Sequence, residues 1–333
     1  MNRQFQHNEV LLILDSDEIA YQIAAACEQR GVVATNTTNE AQANFKHKTA
    51  FKDFTAGLEI PEGHFVLEET QIAEDPKNAF ATVKAKINNL KSKFNTDRVE
   101  LYISGEGNFR LDIPAPVRYK SGRKEQLRPL LLDQVREYLI KYHNAKTVNG
   151  RESDDLLVQR MYDGAKSGEI IVAVTIDKDA RQCDKGYLYN PDKDELLVNC
   201  GFGELYIDDK SKVRGTGRKW LYVQTILGDS TDSYDPRDLV EVVKGKRPRF
   251  GEKAAFNLLK DCVDDKSCWK VIHDLYLDWF GADTFTFDSW NKDKIETDYL
   301  GALQMYFDFA RMKRFDDDNV DVRAVLKKLG VIE

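Results

Sequence analysis

Val10-Leu11-Leu12-Ile13-Leu14-Asp15-Ser16-Asp17 is the stretch whose reading decides the fold. Five apolar residues in an unbroken row suit a strand buried on both faces, since a half-exposed strand alternates. The row stops at an acid, and Ile19 to Cys27 follows as an alanine-rich helix. A strand that delivers an acid at its C-terminal end and passes into a helix belongs to an α/β sheet whose ligands gather at strand ends. Asp17 also suits the cap of that helix, which leaves Asp15 as the better ligand candidate.

The pattern recurs. Val99 to Ile103 is a second core strand, closing at Ser104-Gly105-Glu106-Gly107. A third, Ile170 to Ile176, closes at Asp177-Lys178-Asp179. Surface solvation does not account for an acid at the end of three core strands. Between the second and third runs, the short strand Ala145 to Val148 leads to Gly150-Arg151-Glu152-Ser153-Asp154-Asp155, directly before Leu156-Leu157-Val158. One or two acids in a first helical turn complement the macrodipole. Three there raise one another's pKa unless something positive lies between them. Gly228-Asp229-Ser230-Thr231-Asp232 supplies a further pair after the apolar helix Trp220 to Leu227.

The rest of the chain frames these acids. Pro76 to Phe94 has helical periodicity, with Phe80, Val83, Ile87 and Leu90 on one face, and Pro129 to Tyr142 is a second amphipathic helix. His64 to Thr70 reads as a short strand, and Tyr187 to Tyr189 with Glu195 to Val198 as a hairpin. Gln29 to Thr55 is rich in Thr, Asn and Lys and reads as an inserted or peripheral segment. Phe250-Gly251-Glu252-Lys253-Ala254-Ala255 is a glycine turn opening a helix, whose N–H groups can face a phosphate. From Trp269 onward the chain shows helical patterning with aromatics, which reads as packing.

At 333 residues the chain can bury a large core, as one big domain or two modest ones. No apolar run approaches a membrane span, and Val10 to Leu14 is too short for a signal peptide. Five scattered cysteines form no CxxC pair, which predicts reduced thiols in the cytoplasm and neither a disulfide framework nor a zinc site. The net charge of −7 hides an uneven distribution. Arg110, Arg118, Lys120, Arg123, Lys124 and Arg128 form one basic stretch; Lys210 to Lys219 and Lys244 to Lys253 hold two more.

Many hard oxygen ligands without His or Cys nearby suit Mg²⁺ or Mn²⁺. Two such ions roughly 4 Å apart activate a water and stabilise the leaving oxygen of a phosphodiester. The basic stretches would dock the phosphates that such a site hydrolyses. Acids and bases together therefore point to a nuclease.

The motifs resemble those of the 5′-nuclease (flap endonuclease) superfamily, most closely its bacteriophage 5′–3′ exonucleases. The likeness runs in family order from Leu11 to Leu259: Asp15, with the second acid Asp17 frequent in phage members; Phe109-Arg110 before Tyr119-Lys120-Ser121-Gly122-Arg123; Glu152-Ser153-Asp154-Asp155; Asp177-Lys178-Asp179; Gly228-Asp229-Ser230-Thr231-Asp232; and Gly251-Glu252-Lys253-Ala254-Ala255. The family's aspartate after its second core strand is represented only by Glu106, one or two positions displaced, and its Ile-Pro-Gly-Val-x-Gly-Ile-Gly hairpin is absent.

The resemblance implies a PIN-like, mostly parallel sheet flanked by helices. It places a nuclease domain in residues 1–205, with a helical arch near 109–140, and a helix–three-turn–helix DNA-binding region in 206–333. Asp15, Glu152, Asp154 and Asp177 would bind a first metal, with Asp155 and Asp179 in support, and Asp229 and Asp232 would hold a second. Asp17 and Glu106 are further metal candidates. Lys120 and Arg123 would contact the scissile phosphate from the arch, with Arg110 at its base. Tyr119, Lys124, Gly251 and Lys253 would bind DNA. The implied activity is two-metal 5′–3′ exonuclease and 5′-flap cleavage in phage replication, recombination or primer removal. Partners would be DNA with a free 5′ end, RNA–DNA hybrid and replication proteins, in the host cytoplasm. The competing readings are a catalytically dead nuclease fold that binds branched DNA, and a phosphatase for small esters, for which the basic stretches have no use.

Overall fold

The computed structural model describes residues 4–125, 127–199 and 201–333, with side chains for all of these except residues 124 and 125. The chain forms two compact units: Met1–Asp15, Lys91–Gln126 and Ala145–Glu333 make the first, Ser16–Leu90 and Leu127–Asn144 the second. The expected boundary near residue 205 falls inside the first unit.

In the first unit a six-stranded sheet runs in the order Lys146–Val148, Val99–Ser104, Val10–Asp15, Ile170–Val174, Tyr187–Asn190, Glu195–Val198. All neighbours are parallel except the last pair, the hairpin expected at Pro191-Asp192. Val10–Asp15 is central and every residue of it is buried, which is why the run is apolar without alternation. Leu11 and Ile13 pack with Leu157, Val158 and Met161 of the helix Ser153–Ser167. Because the strands are parallel, Asp15, Ser104 and the turn after Val174 emerge at one edge of the sheet.

The C-terminal part of this unit is helical: Gly217–Leu227, Pro236–Lys244, Glu252–Leu259, Asp265–Phe280, Tyr299–Ala310 and Val322–Lys328, with two small hairpins. Trp220, Val223, Trp269, Ile272, Tyr276, Leu303 and Tyr306 belong to one buried cluster. A buried aromatic of this kind removes about 150–250 Å² from water. The Tyr276 hydroxyl donates to the Thr225 carbonyl at 2.8 Å, so its polar end is satisfied. Tyr276 and Tyr306 are thus packing, as their pattern suggests.

In the second unit, Glu28–Asn36 pairs antiparallel with Gln42–Phe45 on one side and Phe65–Ala73 on the other. Gln29 to Thr55 is therefore not a structureless insertion: it supplies two strands and the helix Lys48–Thr55. Val32 and Ala34 are buried while their neighbours are not, a period of two diluted by Thr and Asn, both compatible with a strand surface. The helices Ser16–Ala26 and Leu132–His143 pack together, and Asp17 is ion-paired with Arg136 across them. Asp17 is thereby neutralised within this unit.

The stretch expected to arch as a helix near 109–140 is mostly irregular. Phe109–Asp112 and Ser121–Glu125 form short 3-10 turns, and an α-helix begins only at Leu132. Pro114 and Pro116 remove helical N–H donors between those turns, and Lys120 adopts φ 56°, a left-handed conformation that ends a right-handed turn. Among the described residues, no helix is long and apolar enough to cross a membrane.

Candidate metal centre

The acids at the sheet edge are held by their own local structure. Asp15 is buried at its strand end and accepts a hydrogen bond from Ser153 Oγ at 3.1 Å, while the Ser153 N–H donates to Ser104 Oγ at 2.9 Å. The first turn of the Ser153–Ser167 helix is thus pinned to the ends of two parallel strands. Glu152 is the N-cap of that helix, and its N–H donates to Asp155 at 3.4 Å.

Consecutive helical residues point about 100° apart, so Asp154 and Asp155 cannot share one environment. Asp155 is fully buried and takes two parallel hydrogen bonds from Arg110, at 2.8 and 2.9 Å, plus the Lys313 N–H at 3.1 Å. Burial pushes its carboxyl up, but Arg110 and the backbone donors outweigh this and hold it below the usual range. Arg110, itself buried, donates further to the carbonyls of Phe309 and Arg311, at 3.1 and 2.8 Å. It is a buried anchor away from solvent, and Asp155 is its counterion.

Asp154 has no such cation partner among the described residues; it accepts from the N–H of Asp155 at 2.8 Å. Burial, then the charges of Glu152 and Asp155, push its carboxyl well up. Burial raises Asp177 as well, with Asp232 adding to it, although the Asp179 N–H donates to Asp177 at 2.8 Å. Asp179 is pushed well up by burial, then by Asp177, with Asp229 and Asp232 contributing; Gln224 donates to its carboxylate. Through these mutual repulsions Glu152, Asp154, Asp155, Asp177, Asp179, Asp229 and Asp232 form one electrostatic cluster.

Internal cations thread it. Lys178 pairs with Asp229 at 2.6 Å and, against the opposing effect of burial, keeps that carboxyl low. Lys120 pairs with Glu152 and lies 3.9 Å from Asp232, which Arg123 meets at 2.7 Å. The Tyr119 hydroxyl sits between the same two carboxylates, 2.6 Å from Asp232 and 3.0 Å from Glu152. Tyr119 is buried, so it props the acids from below and offers no outward face to DNA. The Lys120 N–H donates to the Asp232 carbonyl at 2.7 Å, and the Gly122 N–H to Ser233 Oγ at 3.1 Å, docking the basic turn onto the second acid loop.

That loop is closed by Asp229 and Tyr234, which exchange backbone hydrogen bonds of 2.8 and 3.1 Å. Gly228 enters it at φ 70°, ψ −170°, and a Cβ there would lie 2.2 Å from the Tyr234 carbonyl oxygen. Only glycine meets both conditions.

Among the described residues, no three His, Cys, Asp or Glu side chains are gathered closely enough to hold an ion as they stand. The lysine and arginine heads occupying the spaces between the acids account for that. The donor chemistry nonetheless fits a hard dication: carboxylates only, with Asp154, Asp177 and Asp179 crowded by like charge that a cation would relieve. Asp155 does not fit, being saturated by Arg110.

Other expected residues lie elsewhere. Glu106 is exposed, held through its backbone to Asn149 and Gly150 at 3.0 and 2.8 Å. Gly251 is the exposed N-cap of the eight-residue helix Glu252–Leu259, with Lys253 exposed in its first turn. The Lys124 side chain lies outside the described residues. Ser153, Lys178, Gln224 and Lys313 support the acids but carry no signal in the sequence beyond adjacency to an acidic motif or, for the last two, none.

No protein-family model matches this chain, and no curated protein matches it. Solved structures do. A bacteriophage T5 flap endonuclease in a pseudo-enzyme-product complex with DNA and metal ions is 12% identical, with 96% of this chain and 97% of that one covered at a TM-score of 0.48. A T5 protein co-crystallised with metal ions is 13% identical over 96% of each chain, TM-score 0.47. A T5 5′-exonuclease with bound zinc is 14% identical over 80% of this chain and 79% of that one, TM-score 0.42.

Proposed function

We propose that the chain is a divalent-metal-dependent 5′-nuclease, a 5′–3′ exonuclease with 5′-flap endonuclease activity, acting on DNA in phage replication, recombination or primer removal. One observation carries this reading: acids from three separated motifs, Glu152-Ser153-Asp154-Asp155, Asp177-Lys178-Asp179 and Asp229-Ser230-Thr231-Asp232, form a single charge-coupled cluster beside the basic turn of Lys120 and Arg123. The order of the motifs along the chain supports it independently.

Asp154, Asp177 and Asp179, with Asp15 and Glu152, are the residues that would hold one Mg²⁺ or Mn²⁺, and Asp229 with Asp232 the second. When bound, such ions supply an activated water and charge neutralisation at the leaving oxygen. Tyr119 orients Glu152 and Asp232 with its hydroxyl. Ser153 orients Asp15. Lys120 and Arg123 pair with the acids and would contact a phosphate that enters between them, where their charge matters most as negative charge builds on the phosphoryl oxygens. Gly251 and Lys253 would hold duplex phosphate at a helix start.

The test compares 5′-labelled flap, nicked and blunt DNA with Mg²⁺ and with chelator. Metal-dependent cutting near the 5′ end is expected, and Asp177→Ala should bind flap DNA while losing cleavage by several orders of magnitude. Flap binding by the unaltered chain without metal-dependent cutting, or near-normal cutting by Asp177→Ala, overturns the proposal.

A further inference from the structure

A cavity of about 440 Å³ lies in the first unit, lined by none of the metal-candidate residues. Its apolar wall is aromatic: Trp269 stands 5.2 Å from Phe307 and 5.4 Å from Tyr222, ring centre to ring centre. Four cationic side chains line it: Arg218, paired with Asp265 and Asp184; Arg314, paired with Asp318; Arg311; and the exposed Lys328.

Arg311 is the informative one. It is 4% exposed, its Nε donates to Asp308 at 2.9 Å, and its Nη1 has no hydrogen-bond acceptor among the described residues, Asp318 lying 3.5 Å away. A guanidinium carries five donors, and a buried one is normally saturated. Here a buried donor on a cavity wall is left without an acceptor, beside two more cations and an aromatic face.

We propose that this cavity binds a nucleoside 5′-monophosphate, its base against Trp269 and Phe307 and its phosphate toward Arg311, Arg314 and Lys328. The aromatic wall disfavours a free inorganic anion as the natural occupant, because it would leave that surface without a partner. The buried guanidinium disfavours a purely apolar one, which would leave the donor unmet. The volume suits a small molecule and not a polymer. This inference goes beyond the nuclease reading and does not depend on it.

Titration calorimetry of the full chain with a deoxynucleoside 5′-monophosphate, in chelator so that no metal holds the phosphate, is the test. Saturable binding is expected, with the nucleoside alone and inorganic phosphate alone each binding at least about tenfold more weakly. Arg314→Gln, at a partly exposed position, should weaken binding about tenfold, the loss of one charge-assisted hydrogen bond. Val325→Trp should fill the cavity and abolish binding; if a thermal melt shows that it does not fold, exposed Lys328→Ala takes its place, with a similar tenfold loss expected. Asp177→Asn should bind normally. Absence of binding at millimolar ligand overturns the proposal, as does binding indifferent to the cavity substitutions or lost in Asp177→Asn. Flap cleavage measured on the same samples reports on the nuclease reading separately.

Discussion

Arg110 and Asp155 face each other as a fork against a carboxylate, at 2.8 and 2.9 Å, both buried, with further hydrogen bonds from Arg110 to the Phe309 and Arg311 carbonyls and from the Lys313 and Glu152 N–H groups to Asp155. This pair, and not Asp155 alone, is what the family-like acidic motif contributes at its last position. Its role is to fix the first turn of the helix that carries Glu152 and Asp154.

Removing one member strands a buried charge. Arg110→Ala should cost about 3–5 kcal/mol in urea unfolding, and Asp155→Ala a similar amount, whereas the two together should cost less than their sum. A fully additive double variant would show that the pair does not act as a unit.

Lys120 touches the acids through its side chain and the second acid loop through its N–H. Lys120→Ala keeps that backbone bond and loses the charge. Single-turnover cleavage should fall about 10²–10³-fold, with flap-DNA affinity changing much less. An equal loss in affinity would make Lys120 a docking residue.

Gly228→Ala should destabilise the chain by about 1–3 kcal/mol from backbone conformation alone, with the clash at Tyr234 adding to it. Guanidinium unfolding measures the loss. Since the same loop carries Asp229 and Asp232, cleavage should fall further than the unfolded fraction explains.

Asp318 is buried, which pushes its carboxyl up, yet the hydrogen bonds from the Arg314 side chain and N–H, at 2.8 to 2.9 Å, more than offset this and leave it low. A carboxyl lowered in the folded state stabilises above its unfolded value, near 3.8, and that contribution is lost as pH falls through the folded value. Asp318→Asn should therefore melt below the unaltered chain at pH 6, with the gap narrowing as pH is lowered below about 4. A gap that stays constant across this range would assign the effect to packing.

The centre of the sheet could be read directly because Val10 to Leu14 is buried on both faces and so carries no alternation. The strand-end acids were legible for the same reason: a charged residue closing an apolar run stands out. What could not be read was which acid faces which partner. Asp154 and Asp155 are chemically alike and adjacent, and only the distant Arg110 separates their environments. Asp17 looks like a ligand until Arg136 is brought to it by helix packing. The polar Gln29 to Thr55 hid two strands because its buried positions are only Val32 and Ala34 over a short span. The resemblance implied a helical arch near 109–140, but the prolines and the left-handed Lys120 fold this stretch onto the acids instead.

The anchoring of Arg110 by the carbonyls of Phe309 and Arg311, and of Asp155 by the amide of Lys313, bears on how the chain is made. On a ribosome every metal-candidate acid has been synthesised once Asp232 is in place, yet the groups that lock the Arg110 fork come from residues 309–313, well downstream of it. A product terminated between these two points would carry the full set of acids without the groups that frame them.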